Sequence, residues 1–166
     1  MSRNSAIVAK FIDNIEKKFD GTRGQLQAVA KLTYMEIGRR LVDYSPIGDP
    51  TLWKNPKRAL YPKSKLYKPG TFINNWQVGI DSVPRTEMVS GPDVSGSASL
   101  ERLKHLGRWQ LDHTYYFVNN LPYARALEFG EHSSQVPVHG MVGRVKVEFK
   151  QIVEYAVANY NKANFE

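Results

Sequence analysis

Partway through residues 108–130 the hydrophobic period of the sequence changes, and this change constrains the fold more than any other feature. Apolar residues first occupy alternate positions, at Trp109, Leu111, Tyr115 and Phe117. Alternation of this kind predicts a strand with one face buried. Asn119, Asn120 and Pro122 then end the strand, because Asn tolerates turn dihedrals and Pro lacks a backbone donor. The chain must turn at this point.

A short helical or looped segment follows the turn. Its apolar residues recur at short helical spacing, at Tyr123, Ala124, Ala126, Leu127 and Phe129. Arg125 and Glu128 are three positions apart, so their side chains could meet across one helical turn. Gly130 supplies the positive φ that ends such a segment. Nothing in this stretch has the pattern of a catalytic site.

Two helices are predicted at the start of the chain. The first has one apolar stripe, formed by Ile7, Phe11, Ile15 and Phe19. It spans residues 5–19 and ends at Asp20-Gly21. The second spans about residues 23–44 and ends at Ser45-Pro46, because the residue before a proline is pushed out of the α region. Gly38 lies inside this second helix, where it costs about 1 kcal/mol relative to Ala; it marks either a close approach by a neighbour or a weak point.

The rest of the chain mixes short strands with helices. The elements predicted in order are a strand at 76–80, a short strand near 87–89, a helix that Ser97 or Ser99 caps and Gly107 ends, and a final helix to about residue 160. The final helix has an apolar stripe at Val145, Phe149, Ile152, Ala156 and Tyr160. Together these elements predict an α+β fold in a single domain, residues 1–166, with a loop insertion at about 51–68.

The sequence carries no pattern typical of an enzyme. It has no cysteine, which excludes thiol catalysis, and it has neither a Gly-X-Ser-X-Gly elbow nor a phosphate-binding glycine loop. His132 and His139 lie near Glu128 and Glu131, but their spacing matches no metal motif. We therefore predict no enzymatic activity, no cofactor and no metal. The alternative left open is a small nuclease that uses these four residues with a divalent metal.

Basic and aromatic residues interleave between residues 51 and 68. The segment contains Trp53, Lys54, Lys57, Arg58, Tyr61, Lys63, Lys65, Tyr67 and Lys68. No acidic residue occurs from Pro50 to Ile80, and the whole chain has a formal net charge of +7. Such a segment suits a phosphate backbone, although a solvated loop anchored by its own aromatic residues explains the pattern equally well. If the chain acts alone, this segment predicts a nucleic-acid-binding protein.

Three short motifs are spread along the chain. They are Ser45-Pro46-Ile47, the run from Pro69 to Val78 that contains Gly70-Thr71 and Trp76, and Asn119-Asn120-Leu121-Pro122-Tyr123-Ala124 followed by Glu128-Phe129-Gly130. In this order they resemble the tail-completion or head-tail joining (neck) proteins of tailed bacteriophages. The resemblance covers residues 25–160 in outline, and 51–68 is an insertion relative to it. It implies a small, mainly antiparallel sheet packed against N-terminal helices and a long C-terminal helix.

The resemblance also implies a function. Proteins of this family form a ring, usually a hexamer, with neck or head-completion proteins above it and tail terminator or tail-tube proteins below it, and the genome passes through the ring. The chain would then be a virion protein, soluble in the host cytoplasm during assembly and without contact with a membrane. Tyr123, Arg125, Glu128 and Phe129 are expected at an interface with a neighbouring subunit or the next ring. The basic segment is expected to contact either DNA, transiently, or an acidic neighbouring protein.

Overall fold

The longest element of the structure, a computed structural model, is helix α1, which extends from Arg3 to Asp43. The structure describes residues 3–48, 68–87, 91–105, 110–129, 136–137 and 139–161. The other elements are α2 (Thr71–Asn74), β1 (Trp76–Ile80), α3 (Ser97–His105), β2 (Tyr115–Asn119), α4 (Ala124–Glu128) and α5 (Gly140–Asn159). Helices and one small sheet thus occur in the same fold, and the α+β prediction is confirmed.

Helix α1 is continuous where the sequence predicted two helices. The predicted break at Asp20-Gly21 is wrong, because glycine permits a turn but does not force one. A Cβ added at Gly21 or Gly24 would meet nothing within 4 Å, so no packing contact bends the helix there. The predicted end is confirmed, since α1 stops at Asp43, just before Ser45-Pro46.

The sheet contains two antiparallel strands. Trp76 lies opposite Asn119 and Ile80 lies opposite Tyr115. Strand β1 was predicted correctly, whereas β2 begins at Tyr115 and not at residue 108. Strand β1 ends at Ile80, and Asp81, which has a positive φ of 56°, donates its backbone N–H to the carbonyl of Thr114 at 2.8 Å. Residues 110–113 therefore have no strand of the described sheet to pair with. Residue 87 is not in a strand, and the rest of the strand predicted near 87–89 lies outside the described residues.

The hydrophobic core lies where α1, α3, α5 and the sheet meet. Its buried residues are Leu41, Val42, Phe72, Ile73, Trp76, Val78, Leu103, Leu121, Met141, Val145 and Ile152. Gly38 lies at the contact between α1 and α3. A Cβ there would be 2.7 Å from Cδ1 of Leu103 and 3.4 Å from Cε1 of Phe117. Gly38 therefore allows a close approach, the first of the two roles that the sequence left open.

Helix α3 is capped by residues that precede it. The backbone N–H of Ser97 donates to Oγ of Ser95 at 3.3 Å, and that of Ser99 donates to Oδ2 of Asp93 at 2.8 Å. The prediction that Ser97 or Ser99 is the cap is wrong, because the buried Asp93 places its negative charge at this helix N-terminus. Burial alone would raise the pKa of Asp93, but hydrogen bonds from Ser99 outweigh it and lower the pKa. The predicted stop at Gly107 lies outside the described residues.

Helix α5 begins five residues earlier than the stripe from Val145 indicated. It runs from Gly140 to Asn159 and packs mainly against α1. Within the described residues, no helix is both long and apolar enough to cross a membrane.

Candidate functional site

The first two of the three motifs meet in a buried hydrogen-bonded junction. Nε1 of Trp76 donates to Oγ of Ser45 at 2.7 Å, and this hydroxyl donates in turn to the carbonyl of Leu41 at 2.6 Å. The backbone N–H of Gly70 donates to the carbonyl of Ile47 at 2.7 Å. Ser45-Pro46-Ile47 is therefore hydrogen-bonded to the Gly-Thr turn and to the first residue of β1.

The Asn-Asn pair of the third motif joins the same junction. Nδ2 of Asn119 donates to the carbonyl of Phe72, before β1, at 2.9 Å. Nδ2 of Asn120 donates to the carbonyls of Pro84 and Thr86, after β1, at 2.9 Å each. The carbonyls of Phe72 and Thr86 each accept a second hydrogen bond, from the backbone N–H of Asn75 and from Nε2 of Gln77. The pair thus holds the chain on both sides of β1.

Glu128 caps the long C-terminal helix. Its Oε2 accepts from the backbone N–H groups of Met141 at 2.9 Å and Val142 at 3.0 Å, and its Oε1 accepts from that of Gly143 at 3.0 Å. A carboxylate is stabilised at a helix N-terminus, where backbone donors would otherwise be unsatisfied. A Cβ at Gly140 would lie 2.6 Å from the carboxyl carbon, so only glycine leaves room. This distant cap explains why α5 starts before the apolar periodicity does.

The four residues predicted at an interface divide into two groups. The carboxylate of Glu128 is engaged by its capping hydrogen bonds to α5. The predicted contact between Arg125 and Glu128 is replaced by a contact between Arg125 and Phe129. The Arg125 guanidinium lies 5.8 Å from the ring centroid of Phe129, a distance typical of cation–π contacts. Phe129 is 65% exposed and Tyr123 is 41% exposed. Tyr123, Arg125 and Phe129 therefore present an aromatic and basic surface to solvent.

Helix α5 carries apolar residues on two faces. The inner face consists of Met141, Val145, Ile152 and Ala156, all buried. We name the outer set, Val142, Phe149, Val153 and Val157, the α5 stripe; these residues lie within about 80° of one another around the helix. Val142, Phe149 and Val157 are 37%, 50% and 54% exposed, and Val153 is half-buried. The sequence placed Phe149 on the core stripe, and that assignment is wrong because the core contact needs only the narrower inner face.

One charged residue, Glu148, lies on the inner face and forms a polar cluster with α1. Glu148 is buried, accepts from the Tyr44 hydroxyl at 2.6 Å, and also accepts from the guanidinium groups of Arg40 and Arg144. The Tyr44 bond is the largest cause that lowers the pKa of Glu148, and the arginines add to it. Sequence reasoning missed this cluster, because an isolated Glu in an amphipathic helix predicts a solvated position.

Arg40 extends this cluster to a second buried carboxylate. Nε of Arg40 donates to Oε1 of Glu36 at 3.1 Å, and Arg39 donates to both oxygens of Glu36. Burial would raise the pKa of Glu36, but the hydrogen bonds from the two arginines outweigh it and lower the pKa. Each buried charge therefore has opposite charges beside it, which is the condition under which buried ions are tolerated.

His113 is held by hydrogen bonds on both ring nitrogens. Nδ1 of His113 lies 2.5 Å from Oδ2 of Asp81, and Nε2 lies 3.1 Å from Oε1 of Gln110. Both ring nitrogens are thus engaged, and neither is left to activate a nucleophile. His139 is exposed and precedes α5 with a φ of 77°. No group of three potential metal-binding residues occurs in the part of the chain that the structure describes, and His132 and Glu131 lie outside that part.

The two described flanks of the basic insertion contact each other. The hydrogen bond between Ile47 and Gly70 joins its two flanks, and Lys68 is exposed beside it. The other predicted contact residues, Trp53, Lys54, Lys57, Arg58, Lys63 and Lys65, lie outside the described residues. Tyr115, Tyr116 and Phe117 are half-buried, and the ring of Tyr115 lies 4.6 Å from that of Tyr34. Tyr115 and Phe117 pack against the hydrophobic core.

No protein-family model, curated protein or solved structure matches the chain. The resemblance to neck proteins therefore rests on the three sequence motifs alone.

Proposed function

We propose that the chain is a structural protein of the neck or tail top of a tailed bacteriophage, where its copies form a ring that joins the DNA-filled head to the tail and lets the genome pass. The hydrogen-bonded junction between the three motifs is the observation that supports this proposal. Three motifs far apart in sequence contact one another through Ser45, Trp76 and Asn119. Motifs that cooperate in one packed junction support a shared fold more strongly than three unconnected strings would.

The exposed surfaces also support a ring. A closed ring of identical subunits needs two different patches, because each subunit contacts its neighbours head to tail. The chain presents the aromatic surface of Tyr123 and Phe129 beside α4 and, along α5, the α5 stripe. Exposed apolar residues that cluster on one face mark sites of protein contact more often than single exposed ones do. Neck or head-completion proteins and tail terminator or tail-tube proteins are the further partners of this proposal.

The contacts of Glu128 favour a structural role over the nuclease alternative. Both of its carboxylate oxygens accept backbone hydrogen bonds from α5, so a metal would have to share this carboxylate with the cap of that helix. The proposal includes no catalytic residue and no cofactor. The basic insertion would meet the passing DNA through sequence-independent phosphate contacts.

The test is deletion of the gene from the phage that carries it. We expect lysates with DNA-filled heads and separate tails, and we expect added wild-type protein to restore joined, infectious particles. A Tyr123→Ser, Phe129→Ala variant should fold but fail to restore joining, while Glu154→Gln, an exposed change on α5, should restore it fully. Joined virions in the absence of the protein would refute the proposal.

Nucleic-acid binding by the free chain is the second candidate, and the acid-free stretch from Pro50 to Ile80 favours it. Each Lys or Arg that contacts a phosphate adds about one counterion to the salt dependence of binding. A Lys57→Ala, Arg58→Ala, Lys63→Ala variant should therefore lower the slope by about 3. Tight DNA binding by the monomer, together with normal joining by this variant, would favour the second candidate.

A further inference from the structure

Residues 82–87, which we name the strap, cross the outer face of the sheet. They follow strand β1 without forming a helix or a strand, and all of them except Pro84 are exposed. Successive residues of a strand point to opposite faces. Trp76 and Val78 are buried in the core, so Gly79 between them and the end of the strand points to the outer face.

Gly79 leaves room for the strap to lie against the sheet. A Cβ added at this position would be 2.0 Å from the carbonyl oxygen of Ser82 and 2.5 Å from Cδ of Pro84. Both distances are too short for atoms that are not bonded, so any side chain here would push the strap away. Tyr116 lies directly opposite Gly79 and shares its face of the sheet. The strap therefore lies over the face that Gly79 and Tyr116 share.

Two side-chain amides hold the strap on the sheet. Nδ2 of Asn120 donates to the carbonyls of Pro84 and Thr86 at 2.9 Å each. Nε2 of Gln77 donates to the carbonyl of Thr86 at 2.8 Å. Both hydrogen bonds of Asn120 go to the strap, so this residue contributes more of the attachment than Gln77 does.

The strap has the features of a segment that opens before the rest of the fold. At its start, Oγ of Ser82 is 3.4 Å from the carbonyl oxygen of Ile80, which is long for a hydrogen bond. Among the described residues, no backbone N–H of the strap donates a hydrogen bond, and Val83 is 47% exposed. Segments with few buried apolar contacts and exposed hydrogen bonds open at a lower free energy than the core does.

We propose that the strap opens and closes on the sheet as a unit while the rest of the chain stays folded, and that Asn120 holds it closed. Opening uncovers the outer face of the sheet around Tyr116. It also changes the surface near Tyr123, which lies three positions from Asn120 in the same motif. The inference goes beyond the proposed neck function, and it applies to the free chain.

Trypsin tests the inference, because Arg85 lies in the strap. Proteolysis of a segment that opens and closes rapidly follows the population of its open form. Mass spectrometry gives the initial rates of cleavage after Arg85 and after Arg40, which lies in α1 and is paired with the buried Glu148. We expect cleavage after Arg85 to be roughly a hundredfold faster and to depend less on added urea, since strap opening exposes less surface than global unfolding does. Equal rates or equal urea dependence at the two sites would overturn the inference.

The variant Asn120→Asp keeps the shape of the side chain but replaces the donor by a carboxylate oxygen that faces two carbonyls. It should raise the rate of cleavage after Arg85 roughly tenfold, because two hydrogen bonds are lost, and leave cleavage after Arg40 unchanged. Asn161→Asp, the same change at an exposed position, is the matched control and should leave both rates unchanged. An unchanged rate after Arg85 in Asn120→Asp, or an equal rise at both sites, would overturn the role of Asn120.

A second variant, Gly79→Ala, displaces the strap without changing either amide. The φ of Gly79 lies outside the left-handed region, so alanine fits the strand and its Cβ meets the strap. Cleavage after Arg85 should again rise roughly tenfold, because the added methyl group overpacks the contact. The matched control Gly24→Ala, whose Cβ would meet nothing within 4 Å, should leave the rate unchanged. A Gly79→Ala chain that unfolds at the wild-type temperature and is cut no faster after Arg85 would overturn the inference, and Asn120→Asp decides it if Gly79→Ala does not fold.

Discussion

The inner and outer faces of α5 have similar apolar residues but different surroundings. On the inner face, Met141, Val145 and Ile152 are buried in the core. The buried carboxylate of Glu148 on the same face is paired with groups from α1. The outer face exposes Val142, Phe149 and Val157. Sequence periodicity alone does not separate these faces, since both contribute apolar residues to one helix.

The difference indicates that the inner face of α5 contributes to the stability of the folded chain and the outer face to association between copies. Substitutions on the inner face remove contacts that the folded chain already makes, so they should lower the free energy of unfolding. Substitutions on the outer face remove side chains that are only partly buried, so they should lower the free energy of unfolding less than inner-face substitutions do, and their larger effect should appear when copies meet. Glu128 and Phe129 show the same contrast at adjacent positions, because one caps α5 and the other is 65% exposed.

The largest expected effect is that of Glu148→Ala on the inner face. The substitution leaves the Arg40 guanidinium partly buried with one carboxylate fewer, and breaking a buried ion pair in this way costs about 3 kcal/mol or more. Denaturant unfolding monitored by circular dichroism measures the change. The control Glu154→Gln, on the exposed side of the same helix, should change the free energy of unfolding by about 0.5 kcal/mol or less. Equal effects of the two substitutions would remove the distinction between the faces.

Low pH should lower the free energy of unfolding by less than Glu148→Ala does, because a protonated Glu148 still accepts a hydrogen bond from Tyr44. The pKa values of Glu36 and Glu148 are lowered in the folded chain, so their stabilising contribution is complete above the unfolded value of about 4.3. It is lost as the pH falls through the lower folded values. The difference in unfolding free energy between wild type and Glu148→Ala should therefore narrow below about pH 4.3. A constant difference down to pH 2 would contradict this linkage.

Local sequence signals predicted the elements that depend on their own residues. Strand β1 follows from alternation, and the end of α1 follows from Ser45-Pro46. The failures occur where a distant or absent contact decides the structure. Glu128 sets the start of α5 from thirteen residues away, and strand β1 ends at Ile80, so residues 110–113 have no strand of the described sheet to pair with.

The candidate surfaces were predicted only in part for the same reason. Tyr123, Arg125 and Phe129 were singled out by their motif and are exposed, whereas the capping role of Glu128 depends on where α5 begins in space. The α5 stripe went unrecognised because Phe149 fits the periodicity of the core. A signal was present nevertheless: Phe149, Val153 and Val157 widen the apolar face of α5 beyond what one core contact requires.

The cap of α5 should contribute less to the free energy of unfolding than the buried ion pairs of Glu148 do. Glu128→Gln removes the negative charge and replaces one acceptor by an amide, so it should lower the free energy of unfolding by about 1 kcal/mol, as loss of a helix cap does. Thermal unfolding and amide hydrogen exchange of Met141 to Gly143 measure the change. The neighbouring variant Phe129→Ala is the matched control and should leave both unchanged. Faster exchange in Phe129→Ala would show that Phe129 also stabilises the cap.

The smallest effect on stability is expected for Phe149→Ser on the outer face. The side chain is 50% exposed, and Ser has a similar helix propensity to Phe, so the free energy of unfolding should change by about 0.5 kcal/mol or less. Ile152→Ala, three residues away on the inner face, should cost about 3 kcal/mol because it leaves a cavity in the core. Association should show the opposite order, since native mass spectrometry of Phe149→Ser should show monomers at concentrations where the wild type forms multimers. Loss of more than about 1 kcal/mol from Phe149→Ser in the monomer would assign Phe149 to the core, as the sequence suggested.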